Sequence, residues 1–232
     1  MPHRSLIHII FLERNNRFLV LLISLVLFFI IYPMLEQSIV ATRVLNLLFL
    51  WILLSGVYAI ANTRGPLIFS LTLVVLTTVL RWAYYFYELN SLSILESMGN
   101  VILFVFIGVH ILQFILRQRI ITAELIYAGL SVYLIFGLAW ASIYQIIDMW
   151  QPGSFIVSKL ENPRQDFFQM WYFSMVTLTT LGYGDIAPVS MIARSFVVME
   201  AIMGQFYLAI LIASLVGRGV TQKHDKIFPP KT

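Results

Sequence analysis

Cysteine is missing from this 232-residue chain, and charge is scarce. Without cysteine there is no disulfide framework, no thiolate metal site and no cysteine nucleophile. Only 11% of the residues are charged against 60% hydrophobic, where a soluble domain keeps roughly a quarter charged. Such a chain cannot cover its surface with charge, so lipid is its solvent. No Asn-x-Ser/Thr acceptor occurs, so nothing in the sequence points to glycosylation. No His-Glu-x-x-His, Gly-x-Ser-x-Gly or P-loop pattern occurs, which argues against an enzyme. The net charge of +4 would raise nucleic acid as a partner in a soluble protein. Here the basic residues fall between apolar runs and read as topology signals, so no nucleic acid is implied.

A spanning helix needs about 20 mainly apolar residues. Six segments fit: Phe18–Met34, Val44–Ala61, Leu67–Phe86, Val101–Leu116, Leu125–Ile147 and Ile192–Val216. The first is longer than a signal core and no small-residue cleavage pattern follows it, so it reads as a retained helix. The predicted fold is an all-α membrane protein with six transmembrane helices. Its breaks are chemical: Pro33 and Glu36 after the first, Asn62-Thr63-Arg64-Gly65-Pro66 after the second, Glu88-Leu89-Asn90-Ser91 after the third, Arg117-Gln118-Arg119 after the fourth. The link from Asp148 to Met191 is the longest. It opens polar, then turns apolar and aromatic over Phe167–Phe173, a run too short to span that reads as a re-entrant helix with Asp166 as its N-cap.

With the N-terminus inside, the inner segments hold Arg4, Arg14, Arg17, Arg64, Arg117, Arg119, Arg218, Lys223, Lys226 and Lys231, and the outer ones only Arg43, Lys159, Arg164 and Arg194. Both termini are therefore expected in the cytoplasm of a plasma (bacterial inner) membrane. The outer loops are expected to hold Glu36, Glu88, Glu96, Asp148, Glu161, Asp166 and Asp185, an acidic mouth that would concentrate cations.

The short aromatic helix runs into Thr179-Thr180-Leu181-Gly182-Tyr183-Gly184-Asp185. Irregular backbone is tolerated at membrane depth only where protein buries it or water lines it. Glycine permits positive φ, so alternate residues of such a segment can turn their carbonyls to one side and replace a cation's water. Thr180 adds a hydroxyl at the inner end, and Tyr183 can brace the strand from behind. A re-entrant helix pointing its C-terminal end at the pore axis would favour a cation there.

These residues resemble the tetrameric potassium channel family, in which four Thr-Val-Gly-Tyr-Gly loops surround one axis. The resemblance covers about Thr122 to Arg218. It implies a homotetramer in membrane lipid with potassium as permeant ion and no cofactor. Its ion sites would fall at Thr180, Leu181, Gly182, Tyr183 and Gly184, supported by Thr179, Asp185 and Tyr172. Leu181 stands where the family usually has valine. Tyr172 and Phe173 stand where it often has two tryptophans; Tyr172 can still donate towards Asp185, but Phe173 cannot donate to Tyr183. The family often carries a hinge glycine 20 residues after the last filter glycine, which would be Gly204. Close packing against the fifth helix is the other reading of Gly204. The implied organisation is a four-helix transmembrane domain over 1–120, a pore domain over 121–218 and a short cytoplasmic tail over 219–232, with no soluble ligand-binding domain.

The fourth helix lacks the arginine ladder of voltage-gated members, so Arg117 and Arg119 read as topology anchors. Arg81 either snorkels or pairs with Glu88 or Glu96. His110 reads as a neutral buried histidine or a pH sensor. Glu200 is an intramembrane carboxylate, in the cavity or behind the filter. The competing functions are a non-selective cation channel, a membrane transporter and a non-conducting accessory subunit.

Overall fold

The computed structural model describes residues 16–35, 39–61, 64–87, 89–118, 120–157 and 167–227. In chain order these form α1 (Arg17–Leu35), α2 (Ile39–Ile60), α3 (Arg64–Tyr87), α4 (Asn90–Arg117), α5 (Ala123–Trp150), β1 (Phe155–Val157), α6 (Phe167–Leu178), β2 (Ile186–Pro188) and α7 (Met191–Ile227). Helices dominate because an apolar chain in lipid must satisfy its backbone within each segment. Among the described residues, four helices contain stretches long and apolar enough to cross a membrane: Arg64–Tyr84, Asn90–Arg117, Ala123–Trp150 and Met191–Val220. The apolar stretches of α1 and α2, Arg17–Tyr32 and Val44–Ile60, are shorter.

The central helix is α5. Thr122 caps it, its hydroxyl accepting from the Leu125 N–H at 3.2 Å, and Glu124 sits in the first turn, where the helix dipole favours an anion. Its small residues Ala128, Gly129, Ser131, Ala139, Ala141 and Ser142 are buried, which lets neighbouring helices come close. At Gly137 the approach is extreme: a Cβ there would lie 2.0 Å from the Met175 methyl of α6.

Aromatic rings join α1 and α2 to α6. Tyr32 stacks on Phe168 at 3.7 Å between centroids, Phe28 meets Trp171 at 5.2 Å, and Phe49 of α2 meets Phe167 at 5.2 Å. At the other end of α1, Arg17 pairs with Glu124 of α5 at 3.3 Å.

Three boundaries differ from expectation. Helix α4 starts at Asn90, well before Val101. The added turns are polar, but Ser93, Glu96, Ser97 and Asn100 lie on one helical face and are buried. Glu96 is therefore inside the bundle and not in an outer loop. Asp148 likewise belongs to the last turn of α5. Helix α7 continues past Val216 to Ile227, into the stretch read as a tail. The expected N-cap Asp166 and the acidic residues Glu36, Glu88 and Glu161 lie outside the described residues.

Candidate functional site

Helix α6 ends in the segment that carries the glycine motif, and the cap that ends it shapes that segment. The Thr180 N–H bonds the Thr177 carbonyl at 3.0 Å, and the Leu181 N–H reaches back to the Val176 carbonyl at 2.9 Å. These are the two bonds of a Schellman cap, which needs a left-handed residue after the helix, usually glycine. Here that residue is Thr180, with φ 58°. Gly182 and Gly184 follow at φ 59° and 74°, while Leu181 and Tyr183 between them keep negative φ. The backbone thus alternates in hand from Thr180 to Gly184, the alternation that turns successive carbonyls to one side. Glycine removes the steric cost at two of the three left-handed positions. At Thr180 that cost, about 1–2 kcal/mol, is borne by a residue with a Cβ.

Both ends of the segment are anchored. At the inner end the Thr179 hydroxyl donates to the Met175 carbonyl at 2.7 Å. At the far end the Tyr172 hydroxyl donates to Asp185 Oδ2 at 2.7 Å, as its position predicted. Beyond Asp185 the chain enters β2, which pairs antiparallel with β1 in the register Phe155–Pro188, Ile156–Ala187, Val157–Ile186. The Ser154 carbonyl also accepts from the Val189 N–H at 2.8 Å, and the Ser190 hydroxyl caps α7 through the Ala193 N–H at 3.2 Å. The segment is thus held between a helix cap and a two-stranded clip.

Its side chains are not covered within one chain. Leu181 is 55% and Tyr183 66% exposed. Both border an apolar groove of about 470 Å³ whose other walls come from α1, α5 and α6.

The remaining predicted residues separate into two groups. Glu200, on α7, is wholly buried and accepts hydrogen bonds from Tyr144 of α5 and Ser174 of α6. It sits behind α6 and not in an open cavity. Gly204 lies one turn further along α7, and its partner is α6 and not the fifth helix: a Cβ there would meet the Leu178 carbonyl oxygen at 3.0 Å and the Leu178 Cδ2 at 2.8 Å. Far from this region, Arg81 pairs with Glu96. Its Nε and Nη2 lie 2.7 and 2.6 Å from Oε1, and its guanidinium stands 4.0 Å from the Phe49 ring centre. His110 Nδ1 lies 2.9 Å from the Phe106 carbonyl oxygen, a local contact along α4.

The roles of Tyr144, Ser174 and the β1 strand were not apparent from the sequence. A tyrosine and a serine in apolar helices carry no pattern of their own; only Glu200, costly in lipid, advertised that partners must exist. No group of three or more His, Cys, Asp or Glu able to hold a metal ion occurs among the described residues.

Residues 120–220 match the family described as ion channel. The voltage-gated potassium channel Kch of Escherichia coli (strain K12) is 28% identical over 168 residues, 70% of this chain and 36% of that protein. The inward rectifier potassium channel Kirbac3.1 of Paramagnetospirillum magnetotacticum is 29% identical over 84 residues, 36% of this chain and 24% of that protein. The probable potassium channel protein 2 of Methanocaldococcus jannaschii is 35% identical over 69 residues, 28% of this chain and 20% of that protein. The chain aligns with 20 to 36% of the length of these relatives. This chain resembles the potassium channels of the ion channel family.

Proposed function

We propose that the chain is one subunit of a potassium-selective channel that conducts passively. Four copies surround one axis, and each contributes Thr180 to Gly184 to a filter of backbone carbonyls. The observation that carries this reading is the alternating hand of the backbone over Thr180, Gly182 and Gly184. Dehydrating a cation is costly, and carbonyls held in place return that energy without having to reorganise. Thr180 through Tyr183 hold the ions, Thr179, Tyr172 and Asp185 support the segment, and Gly204 is the gating hinge. The exposed Leu181 and Tyr183 are covered by the neighbouring copy, which is why a single chain leaves them open.

All six apolar helices span the membrane in this reading, α6 is re-entrant, and both termini face the cytoplasm. Gating by voltage is weak. One charge crossing the field gains about 2.3 kcal/mol per 100 mV, and α4 carries no basic ladder to move. The conductance–voltage curve is therefore shallow.

Purified protein in planar bilayers, with potassium on one side and sodium on the other, tests the reading through its reversal potential. A potential near that of potassium supports it; one near zero supports a non-selective cation channel. Gly182→Ala sharpens the test. At φ 59° a side chain costs about 1–2 kcal/mol, four times over in a tetramer. Selective current is expected to vanish while tetramers still form. Normal selectivity in that variant would place the filter elsewhere.

A further inference from the structure

We propose that Glu200 is a positioning residue for the filter, clamping α7 to α6 and α5 so that the inner helix holds the filter's backbone in its conducting form. The proposal rests on the channel reading and assigns a task to a residue that does not line the conduction path.

The geometry is a two-point grip. Glu200 and Gly204 are four residues apart and share one face of α7. Ser174 and Leu178 are four apart and share one face of α6. The first pair meets the second in register: the Ser174 hydroxyl donates to Glu200 Oε1, and Leu178 lies in the space that a Cβ on Gly204 would fill. One contact is polar and directional, the other steric. Sliding α7 by a residue along α6 breaks both. Helix α6 is also the element whose cap places Thr180 and Leu181.

The second arm reaches the far end of the filter. Tyr144 donates to Glu200 Oε2. The Tyr144 ring meets Phe155 and Phe173, each at 5.3 Å between centroids. Phe155 belongs to β1, paired through Pro188 with the strand that follows Asp185. One buried carboxyl group therefore touches both supports of the segment, the pore helix directly and the two-stranded clip through a tyrosine.

Hydroxyl partners suit this task. A hydroxyl donates and accepts, so the clamp needs hydrogen bonding and not charge. No lysine or arginine lies within ion-pair distance of Glu200 among the described residues. Glutamine can therefore stand in for glutamate, whereas alanine cannot.

Single-channel recording of the full-length protein tests this with Glu200→Gln, Glu200→Ala, Ser174→Ala and Tyr144→Phe, each checked for tetramer content. Mean open time is expected to fall about tenfold or more in Ser174→Ala and Glu200→Ala, the size of effect produced when a buried polar atom is left without its hydrogen-bond partner. The potassium-to-sodium permeability ratio is expected to fall with it. Glu200→Gln is expected to stay within about twofold of the unaltered channel, because the amide keeps the volume and can still bond both hydroxyls. If Glu200→Ala does not assemble, Ser174→Ala and Tyr144→Phe carry the test, since each removes one bond and little volume. Unchanged open times and selectivity in Ser174→Ala and Tyr144→Phe would overturn the clamp and leave the channel reading standing. Absence of potassium-selective current in the unaltered protein would overturn both.

Discussion

Two carboxylates are buried among the described residues, and they are satisfied in opposite ways. Glu96, between α3 and α4, meets a cation: the Arg81 guanidinium at 2.6 Å, with the Asn100 amide at 3.2 Å on the same oxygen. Glu200, on α7, meets two hydroxyls, one on each oxygen. A guanidinium is always charged and only donates, so it suits a carboxylate alone. Hydroxyls suit either form of the acid. The first arrangement fixes a charge inside a helix bundle. The second joins three elements, α5, α6 and α7, without requiring one. The first arrangement uses its polar atoms for cohesion between α3 and α4, and the second uses them to hold α5, α6 and α7 together behind residues 180–184.

The largest effect is expected at Arg81. Arg81→Met leaves Glu96 buried without its cation, at a cost of about 3–5 kcal/mol. A large drop in the thermal midpoint of the detergent-solubilised protein is expected, with unchanged potassium selectivity in the tetramers that survive. Replacing both Arg81 and Glu96 by methionine is expected to recover most of the loss, because an apolar pair needs no desolvation. A midpoint equal to the unaltered protein's in the single variant would show that the ion pair contributes nothing.

Gly204→Ala sharpens the other side. The added methyl would meet backbone, the Leu178 carbonyl at 3.0 Å, which cannot swing aside as a side chain would. Overpacking of this kind costs about 1–3 kcal/mol. The packing role predicts that permeability ratio and open probability fall together, since α6 carries the filter. A hinge role alone predicts lower open probability with selectivity intact. Reversal potentials and single-channel records from the same preparation separate the two.

Tyr172→Phe probes a third carboxylate, Asp185, which is half-buried and has a single hydroxyl partner at 2.7 Å. Water can replace that donor, so the loss is about 1 kcal/mol. Shorter bursts of opening at unchanged unitary conductance are expected. Burst lengths equal to those of the unaltered channel would show that the bond does not support the outer end of the filter.

Much of this was legible in the sequence, and the reasons for the gaps are physical. The apolar runs located the helices because lipid leaves little latitude in composition. Gly182 and Gly184 announced left-handed backbone because that is what glycine permits. Thr180 did not, since threonine disfavours that region and only the closure of the α6 cap places it there. The first turns of α4 were read as a loop because Ser93, Glu96, Ser97 and Asn100 are polar. Their spacing of three and four residues was the signal that they share an inward face. Arg81 was left between snorkelling and pairing, because sequence spacing could not bring it to Glu96. For Gly204 the packing reading pointed to the fifth helix, and the close approach of Leu178 was not legible because it depends on how α6 lies across α7.

The length of α7 has a mechanical consequence. Its 37 residues make a rod of about 55 Å, well beyond the roughly 30 Å of a hydrocarbon core. From Gly204 to Ile227 the rise is about 35 Å. With Glu200 and Gly204 gripping α6 about a third of the way along, this rod is a lever with an inner arm of about 20 Å and an outer one of about 35 Å. A bend of about 10° at Gly204 carries the far end through about 6 Å on that length, whereas the contact with Leu178 shifts by a small fraction of it. Force applied at the Ile227 end would reach the contact with α6 multiplied by the ratio of those arms.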